Sequence, residues 1–456
     1  MAKIIKISYL PDCSYVSFSI IIRDCFVRIN FYVNCVFLIT SRPRMKILHV
    51  IDSMDPTVGG PCQGIRNMTS NLESLGIYSE IASVDNPGAV FLKNETLLIH
   101  ALGPGVSAWG YSSKFQPWLL ANLDGFDIII LHGLWLYTNF ATFKVFRKFK
   151  LKAIRNKKYP SPSLFIMPHG MMDPYFQRDK DRKFKAVRNY IYWHLIESKV
   201  VNGANGLFFT CATELMVARE TFTNYNPKLE LNIGYGIEDP PVRSDKMMSD
   251  FFIAFPELAN ISYILFFSRI HKKKALDLVV EAYLLMLTNP SFKMMKIPKL
   301  VIAGPGIESD YGQRILNRVN FSKKLKRNVL FTGMMLGDMK WAVIYGCDAF
   351  ILPSHQENFG IAVAEALACS KPVLISDQVN IWREIESAGA GFVQKDSLLG
   401  TETLFYEWMH LSRTGKKAMS VAALAAYKNN FQVKPVAEKF AEELREHLDI
   451  TFQIIH

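Results

Sequence analysis

The sequence predicts an α/β fold in which two doubly wound parallel sheets face each other across a cleft. Three observations support this fold class. The chain has 456 residues, which exceeds the size of an ordinary single domain. Its apolar runs are short and uninterrupted, as is typical of strands buried on both faces, and they alternate with helical patterns. These runs form two series, separated by a polar, proline-containing stretch at about 238–259.

The first series predicts an N-terminal domain over residues 45–240. It begins with the apolar run 46–52 (KILHVID), followed by the glycine loop 57–64 and a helix ending near Gly76. Two later runs share one form, in which His-Gly follows a buried strand. They are DIIILHG at 127–133 and SLFIMPHG at 163–170. Three weaker runs complete the series, at 78–84, 206–215 and 231–237.

The second series predicts a C-terminal domain over residues 260–425. Its strands are predicted within 261–270, 299–306, 328–335, 347–354 and 371–376. Residues 426–456 are predicted to be helices that pack back toward the N-terminal domain. Two parallel sheets in one chain imply a cleft, and ligands of such sheets bind beyond the carboxyl ends of the strands.

The first 44 residues fit neither series. Arg23, Asp24 and Arg28 interrupt an apolar stretch, and its longest uncharged run, 29–40, is too short for the ~20 residues of a membrane span. Met45 then opens the first predicted strand in the manner of a protein start. Residues 1–44 are therefore interpreted either as a peripheral extension or as the product of an over-assigned start codon.

The composition limits the chemistry. The seven cysteines are scattered without zinc-site spacing, which favours free thiols in a reducing cytoplasm. The net charge of +12 is compatible with nucleic acid, an anionic membrane or phosphorylated substrates. Much of this charge lies in residues 140–158, where phenylalanine recurs every three residues. That segment is either a helix lying on anionic lipid at the inner face of the membrane, or a solvated helix whose phenylalanines face the core.

The tips of the C-terminal strands carry residues suited to a diphosphate. Arg269 and Lys274 flank the end of the first strand, while Gly304 and Gly333 end the next two. Glycines let the backbone approach a ligand, and cations neutralise phosphate charge. The fourth strand is followed by SHQENFGIAVAEAL (354–367), which predicts a helix whose N-terminus adds free N–H groups.

Two glutamates in that segment, Glu357 and Glu365, are eight positions apart. Eight helical residues separate backbones by ~12 Å, beyond the ~5–9.5 Å of paired glycosidase carboxylates. The two acids fit better on two parts of one elongated ligand. Glu357 would accept hydrogen bonds from sugar hydroxyls and Glu365 from a ribose diol. The N–H groups of Asn358, Phe359 and Gly360 would face phosphate.

The segment 354–385 resembles the signature region of retaining glycosyltransferases of the GT-B fold, the large family-4 group. The segments 266–283 and 45–67, together with LHGLW and PHGMMDP, resemble other parts of the same family, so that the resemblance covers about 45–440. It implies two Rossmann-like domains and a nucleotide-sugar donor, UDP- or GDP-linked, held mainly by the C-terminal half. It also implies retention of anomeric configuration without a metal or another cofactor.

The resemblance carries roles onto individual residues. Arg269 and Lys274 would neutralise the leaving diphosphate, and the family's usual glycine after the lysine is Ala275 here, which leaves Lys273 as an alternative phosphate contact. Gly59 and Gly60 would lie near the diphosphate and the acceptor entrance. His169 would be the N-terminal-domain histidine near the reacting sugar, with His132 as the alternative.

These observations predict a cytoplasmic hexosyltransferase of this type, acting on a glycan or lipid-linked saccharide in exopolysaccharide or cell-surface glycan synthesis. The alternative is a catalytically inactive nucleotide-sugar or membrane-surface binding protein of the same fold. The metal-site pattern DKD (179–181) lies in a basic run and predicts a solvated helix face. The dinucleotide fingerprint spacing is absent from both glycine loops, and no nucleic-acid reader motif is present.

Overall fold

A computed structural model describes residues 3–8, 15–22, 25–32, 45–156, 162–178 and 182–455. The chain separates into two compact units at Met45 and Lys46. In the first unit, three strands form an antiparallel sheet in the order β1–β2–β3. They are β1 (Lys3–Ser8), β2 (Tyr15–Ile22) and β3 (Cys25–Tyr32). Whether residues 1–44 belong to the native protein stays a prediction.

The second unit opens with a seven-stranded sheet in the order β10–β9–β8–β7–β4–β5–β6. Its strands are β4 (Met45–Val50), β5 (Ile77–Ser83), β6 (Ile99–Ala101), β7 (Ile128–His132), β8 (Ser163–Met167), β9 (Gly206–Phe209) and β10 (Glu230–Asn232). The pairings from β4 through β10 are parallel, as the apolar runs predicted. Strands β7 and β8 are buried at every position because helices cover both faces.

Helices connect the strands of this sheet. They are α1 (Gly60–Ser74), α2 (Phe115–Asn122), α3 (Tyr137–Asn156), α4 (Tyr175–Arg178), α5 (Lys183–Tyr192), α6 (Ser198–Gly203) and α7 (Ala212–Ala218). A π-helical turn, Trp193–Glu197, joins α5 to α6.

A second, six-stranded sheet is parallel throughout and has the order β13–β12–β11–β14–β15–β16. Its strands are β11 (Tyr263–Phe267), β12 (Lys299–Ala303), β13 (Val329–Gly333), β14 (Ala349–Leu352), β15 (Val373–Ser376) and β16 (Gly391–Gln394). Its helices are α8 (Asp245–Ala254), α9 (Leu276–Thr288), α10 (Asp310–Phe321), α11 (Lys323–Asn328), α12 (Gly337–Gly346), α13 (Ile361–Ala368), α14 (Trp382–Ser387), α15 (Leu398–His410) and α16 (Arg413–Asn430). The prediction of two doubly wound, Rossmann-like sheets is thus confirmed.

The last helix, α17 (Val433–Ile455), lies against the N-terminal sheet. The ring of Phe440 meets that of Phe208 at 5.4 Å, and the Arg445 guanidinium donates to the carbonyl of Leu75 at 2.7 Å. Residues from about 238 to 431 therefore form the C-terminal domain, and the chain after them packs on the N-terminal domain. Within the described ranges, no helix is long and apolar enough to cross a membrane.

Candidate active site

The loop after β11 places a lysine opposite a glutamate. Lys274 ends a short 3₁₀ turn, and its Nζ contacts the Oε2 of Glu357, which follows β14. Both side chains are largely buried. Burial and the neighbouring cations Lys273 and Arg269 lower the pKa of Lys274 to about 7, whereas the contact with Glu357 favours the charged ammonium. A further anion at this loop would therefore favour the charged form of Lys274.

Lys273 points elsewhere. Its Nζ lies 5.0 Å from the centre of the Phe176 ring in α4, and the guanidinium of Arg182 lies 4.7 Å from the same ring. Burial lowers the pKa of Lys273 to about 8, with Arg182 and Arg269 adding to the shift and Asp173 opposing it. Of the two lysines, Lys274 is thus the one directed at Glu357, while Arg269 is exposed on the same loop.

Ala275, where the resemblance expects glycine, has a left-handed backbone with a φ of 54°. This residue is fully buried between the 3₁₀ turn and α9. A left-handed conformation costs a residue with a Cβ about 1–2 kcal/mol. The departure from the family pattern is therefore a local strain directly behind Lys274.

The predicted glycines differ in what surrounds them. At Gly304, with a φ of 134°, a Cβ would lie 2.0 Å from the carbonyl oxygen of Ser268, so glycine is required for the packing of two strand ends. Gly333 and Gly59 also have positive φ but face open space, which leaves their backbone accessible. A Cβ on Gly60 would lie 3.5 Å from Cδ1 of Ile361, so the N-terminal glycine loop lies directly over the start of α13.

Glu357 is fixed by its backbone. Its N–H donates to the carbonyl of Gln378 at 2.9 Å, and its own carbonyl accepts from the N–H of Asn380 at 3.0 Å. Gly360, with a φ of 85°, immediately precedes helix α13 and turns the chain sharply into it. A carboxylate and the first N–H groups of a helix therefore lie side by side at this strand end.

Asn358 and Phe359 connect the two domains through their side chains. The Asn358 amide donates to Oγ1 of Thr210 at 3.1 Å, and a Cβ on Gly170 would lie 2.6 Å from Oδ1 of Asn358. The ring of Phe359 lies 4.9 Å from that of Tyr235. The segment between the two glutamates thus packs against the N-terminal domain.

Glu365 has a partner that the sequence analysis missed. Nζ of Lys340, in α12, lies 2.5 Å from Oε1 of Glu365 and 4.6 Å from the centre of the Trp341 ring. Burial raises the pKa of Glu365, and Lys340 opposes that shift. The two positions are 25 residues apart and belong to different strand–helix units, so no sequence pattern relates them.

The two predicted histidines lie together at the end of the N-terminal sheet. Nδ1 of His132 is 2.9 Å from Nε2 of His169, and the two rings stack with centres 5.2 Å apart. His169 has a φ of 51° and is the only one of the two that is partly exposed. Burial lowers the pKa of His169 to about 4, so this histidine is neutral at pH 7.

The basic segment at 140–158 differs from its lipid-facing interpretation. Phe143 and Phe146 are buried in the N-terminal core, and Phe140 and Phe149 pack partly against it. The expectation that the phenylalanines form a lipid-facing side is therefore wrong, because α3 needs that side to cover the sheet. Residues 157–158, like the DKD pattern at 179–181, lie outside the described residues.

An exposed apolar face occurs instead on α5 and the π-helical turn. Its members recur at helical spacing and are all more than half exposed: Phe184, Val187, Tyr190, Ile191 and Leu195. Exposed Lys183, Lys185 and Arg188 lie on the same helix. The apolar spacing was available in the sequence, but the adjacent basic residues favoured a solvated helix.

The two doubly wound parallel sheets have the GT-B fold. Residues 254–397 match the family model of the glycosyl transferases group 1.

Two curated relatives align with parts of this chain. An uncharacterized glycosyltransferase of Methanocaldococcus jannaschii is 31% identical over 113 residues, which are 25% of this chain and 26% of the relative. The O-antigen chain mannosyltransferase C of Escherichia coli is 23% identical over 187 residues, 41% of this chain and 43% of the relative. The aligned segments thus span less than half of either relative. Among solved structures, Anabaena HepE in complex with UDP and glucose has a TM-score of 0.63 at 17% identity, covering 88% of this chain and 100% of HepE.

Proposed function

We propose that this protein is a retaining glycosyltransferase that moves a sugar from a UDP- or GDP-linked donor to a glycan or lipid-linked saccharide. One observation carries the proposal. Lys274 and Glu357 meet at adjoining strand ends, beside the start of α13 and beneath the glycine loop of the other domain. A nucleotide sugar joins a sugar to a ribose through a diphosphate, and the site offers a partner for each part.

The diphosphate would lie between the cationic loop and the N-terminus of α13. Arg269 and Lys274 supply full charges, while the helix supplies N–H groups and a positive dipole end. Fixed donors aimed at a developing negative charge commonly contribute 10²–10³-fold to the rate. Lys274 would exchange its contact with Glu357 for phosphate oxygens as the donor enters.

The two glutamates would bind the ends of the donor. Glu357, held by two backbone hydrogen bonds, accepts from sugar hydroxyls, and Glu365 accepts from the ribose. Lys340 opposes the effect of burial and favours the charged form of Glu365, which is the form that accepts two hydroxyl groups. His169 borders the reacting sugar from the N-terminal domain.

The proposal includes catalysis without a metal ion, since Arg269 and Lys274 can neutralise the leaving group. Transfer should therefore continue in excess EDTA. The decisive experiment incubates the protein with a panel of UDP and GDP sugars and saccharide acceptors, with EDTA, and assigns the product anomer by NMR. A product with the donor's anomeric configuration supports the proposal, and an inverted product contradicts the retaining mechanism.

One variant, compared with wild type, separates catalysis from binding alone. Glu357→Gln should abolish transfer while leaving the protein folded. If wild type binds a nucleotide sugar but turns over none in the panel, the alternative of a catalytically inactive binding protein is favoured. The similarity to an O-antigen mannosyltransferase and to a structure containing UDP and glucose supports a role in surface-glycan synthesis and a UDP or GDP donor.

We also propose that the exposed face of α5 lies on an anionic membrane and brings the cleft to a lipid-linked acceptor. The face combines apolar side chains, up to the 94% exposed Phe184, with basic residues on the same helix. That pairing is typical of helices lying in the membrane interface. Helix α5 follows α4, whose Phe176 contacts Lys273, so the face adjoins the donor loop.

Vesicle flotation tests the membrane proposal. Phe184→Ser with Ile191→Ser should abolish binding to vesicles of phosphatidylglycerol and phosphatidylcholine. Lys144→Gln with Lys148→Gln on α3 serves as the charge control and should weaken binding less. Unchanged binding of the α5 variant would refute this assignment.

A further inference from the structure

We propose that Ser79, His49 and His132 form a hydrogen-bonded relay that sets the tautomer and orientation of His169. His49 and His132 are then positioning residues for the transfer reaction, and in this the inference rests on the proposed function. Neither the resemblance nor the family match assigns a role to His49 or Ser79.

The relay is continuous in the structure. Oγ of Ser79 lies 3.3 Å from Nε2 of His49. Nδ1 of His49 lies 2.9 Å from Nε2 of His132, and Nδ1 of His132 lies 2.9 Å from Nε2 of His169. Both inner histidines thus use both ring nitrogens. Only Nδ1 of His169 is left over for a ligand.

The sheet topology brings these residues together. Ser79 is on β5, His49 on β4 and His132 at the end of β7, while His169 follows β8. These four strands are neighbours in the order β8–β7–β4–β5, so the relay crosses half of the sheet from side to side. Its far end, Ser79, is only partly buried, and its near end, His169, lies beside Gly170 at the contact with Asn358.

Hydrogen-bond counting couples the rings. A neutral imidazole has one N–H donor and one acceptor nitrogen. In a row of neutral rings each contact needs one donor, so the direction of one bond fixes the direction of the others. His49 and His132 are both 4% exposed, and burial lowers the pKa of each, so neutral rings are the favoured state. The tautomer of His169 is therefore tied to those of His132 and His49. Nδ1 of His169 is an acceptor when the bonds run from His169 toward Ser79, and a donor when they run the other way.

Such an arrangement matters most where the backbone is held in an uncommon conformation. His169 has a left-handed φ of 51°, and Gly170 donates its N–H to Oε1 of the buried Glu214 at 2.5 Å. The backbone position of His169 is thus fixed by Gly170 and Glu214, and its ring by His132. A ring fixed in both respects can offer one defined hydrogen bond to a substrate hydroxyl.

The test uses the full-length protein with ¹⁵N-labelled histidine rings. The ¹⁵N shifts of the two ring nitrogens distinguish the tautomers, and His169→Gln assigns the His169 signals. We expect His49→Phe, which removes both contacts of that ring, to change the His169 tautomer pattern. We also expect it to lower kcat by roughly 10–100-fold, the range for groups that orient a functional histidine, with little change in donor KM.

Two further variants separate positioning from packing. His49→Gln retains a donor and an acceptor and should recover part of the lost kcat. Ser83→Ala, at a fully buried serine that lies on β5 with Ser79 but outside the relay, should leave the His169 signals unchanged. Identical His169 spectra in wild type and His49→Phe would overturn the relay. The spectra need no substrate, so this outcome is distinct from absent turnover by wild type, which would overturn the proposed function.

Discussion

The two sides of the cleft are built from opposite kinds of polar group. On the C-terminal side, Lys274 and Glu357 form an ion pair at a loop with two further cations, Lys273 and Arg269. On the N-terminal side, His132 and His169 are neutral rings joined by hydrogen bonds. In terms of the proposed function, one side meets a leaving group that carries negative charge, and the other meets hydroxyl groups that carry none.

The contrast shows how burial affects the polar groups on each side before a ligand binds. Charged groups repel one another or lose hydration when they are crowded, so the lysines gain interaction energy when a diphosphate arrives. Neutral imidazoles lose little hydration on burial and can be packed into a sheet edge. Changes to the charged side should therefore affect donor binding and pH response, while changes to the neutral side should affect the rate of the bound complex.

Lys274→Ala is expected to have the largest effect. It removes the cation opposite Glu357 and should lower kcat/KM by about 10²–10³-fold, as for other fixed donors at a developing charge. Steady-state kinetics with the active donor measures it, and circular dichroism checks folding. Lys273→Ala is the matched control, since Lys273 points at Phe176, and its loss should be about tenfold or less. An equal or larger loss for Lys273→Ala would reverse the assignment of the two lysines.

Glu365→Gln should have an intermediate effect confined to binding. Loss of a charged acceptor for the ribose, with Lys340 left unpaired, should weaken nucleotide binding by about tenfold, corresponding to ~1.4 kcal/mol. Titration calorimetry with UDP and GDP measures the change. Unaltered affinity for both nucleotides would show that Glu365 serves only as the partner of Lys340.

Nucleotide binding should also depend on pH. The pKa values of Lys274 and Lys273 are lowered to about 7 and 8, so both lose protons as pH rises from 6.5 to 9. A bound diphosphate favours the ammonium forms, so binding takes up protons and affinity falls by at most about tenfold per pH unit for each proton. Calorimetry in buffers of different ionisation enthalpy counts these protons. Binding without proton uptake in this window would contradict the lowered pKa values.

The same shifts have the opposite sign for stability. The unfolded lysines keep their ordinary pKa of 10.5, so the unfolded chain binds more protons between pH 7 and 10. These two groups therefore make the free protein more stable as pH rises through that window. In urea unfolding, the contribution of these lysines to the free energy of unfolding of the free protein should rise with pH. The additional stabilisation given by a bound diphosphate should fall over the same window.

Ala275→Gly should give the smallest change, a stabilisation of about 0.5–1 kcal/mol. Relief of the left-handed strain exceeds the entropy that glycine adds to the unfolded chain. Urea unfolding measures it. Ala282→Gly, the same substitution inside α9, is the control and should destabilise by about 1 kcal/mol. Destabilisation at both positions would show that Ala275 is not strained.

The sequence allowed the fold to be predicted because parallel strands are uninterrupted apolar runs, such as 46–52, 127–133 and 261–270. The strand ends then located Lys274, Glu357 and the two His-Gly turns. The position of a strand and the residues that follow it can be identified from consecutive residues alone. This identification does not require knowing which strands are neighbours in the sheet.

Contacts between neighbouring strands or helices could not be predicted from the sequence in the same way. His49 sits in an apolar strand and has the pattern of a core residue, because its partner His132 is 83 positions away. Lys340 on α12 meets Glu365 on α13 although 25 positions separate them along the chain. For 140–158, periodicity could not distinguish an apolar side that meets lipid from one that covers a sheet.

The return of the chain to its first domain has a mechanical consequence. The two segments that connect the domains are bonded to each other, since the Ile237 N–H donates to the Phe431 carbonyl at 2.8 Å and the Val433 N–H donates to the Ile237 carbonyl at 3.0 Å. The hydroxyl of Tyr427 also donates to that carbonyl at 2.9 Å. Any rotation of one domain against the other must therefore deform both connecting segments at the same place. These hydrogen bonds join the two segments into one hinge.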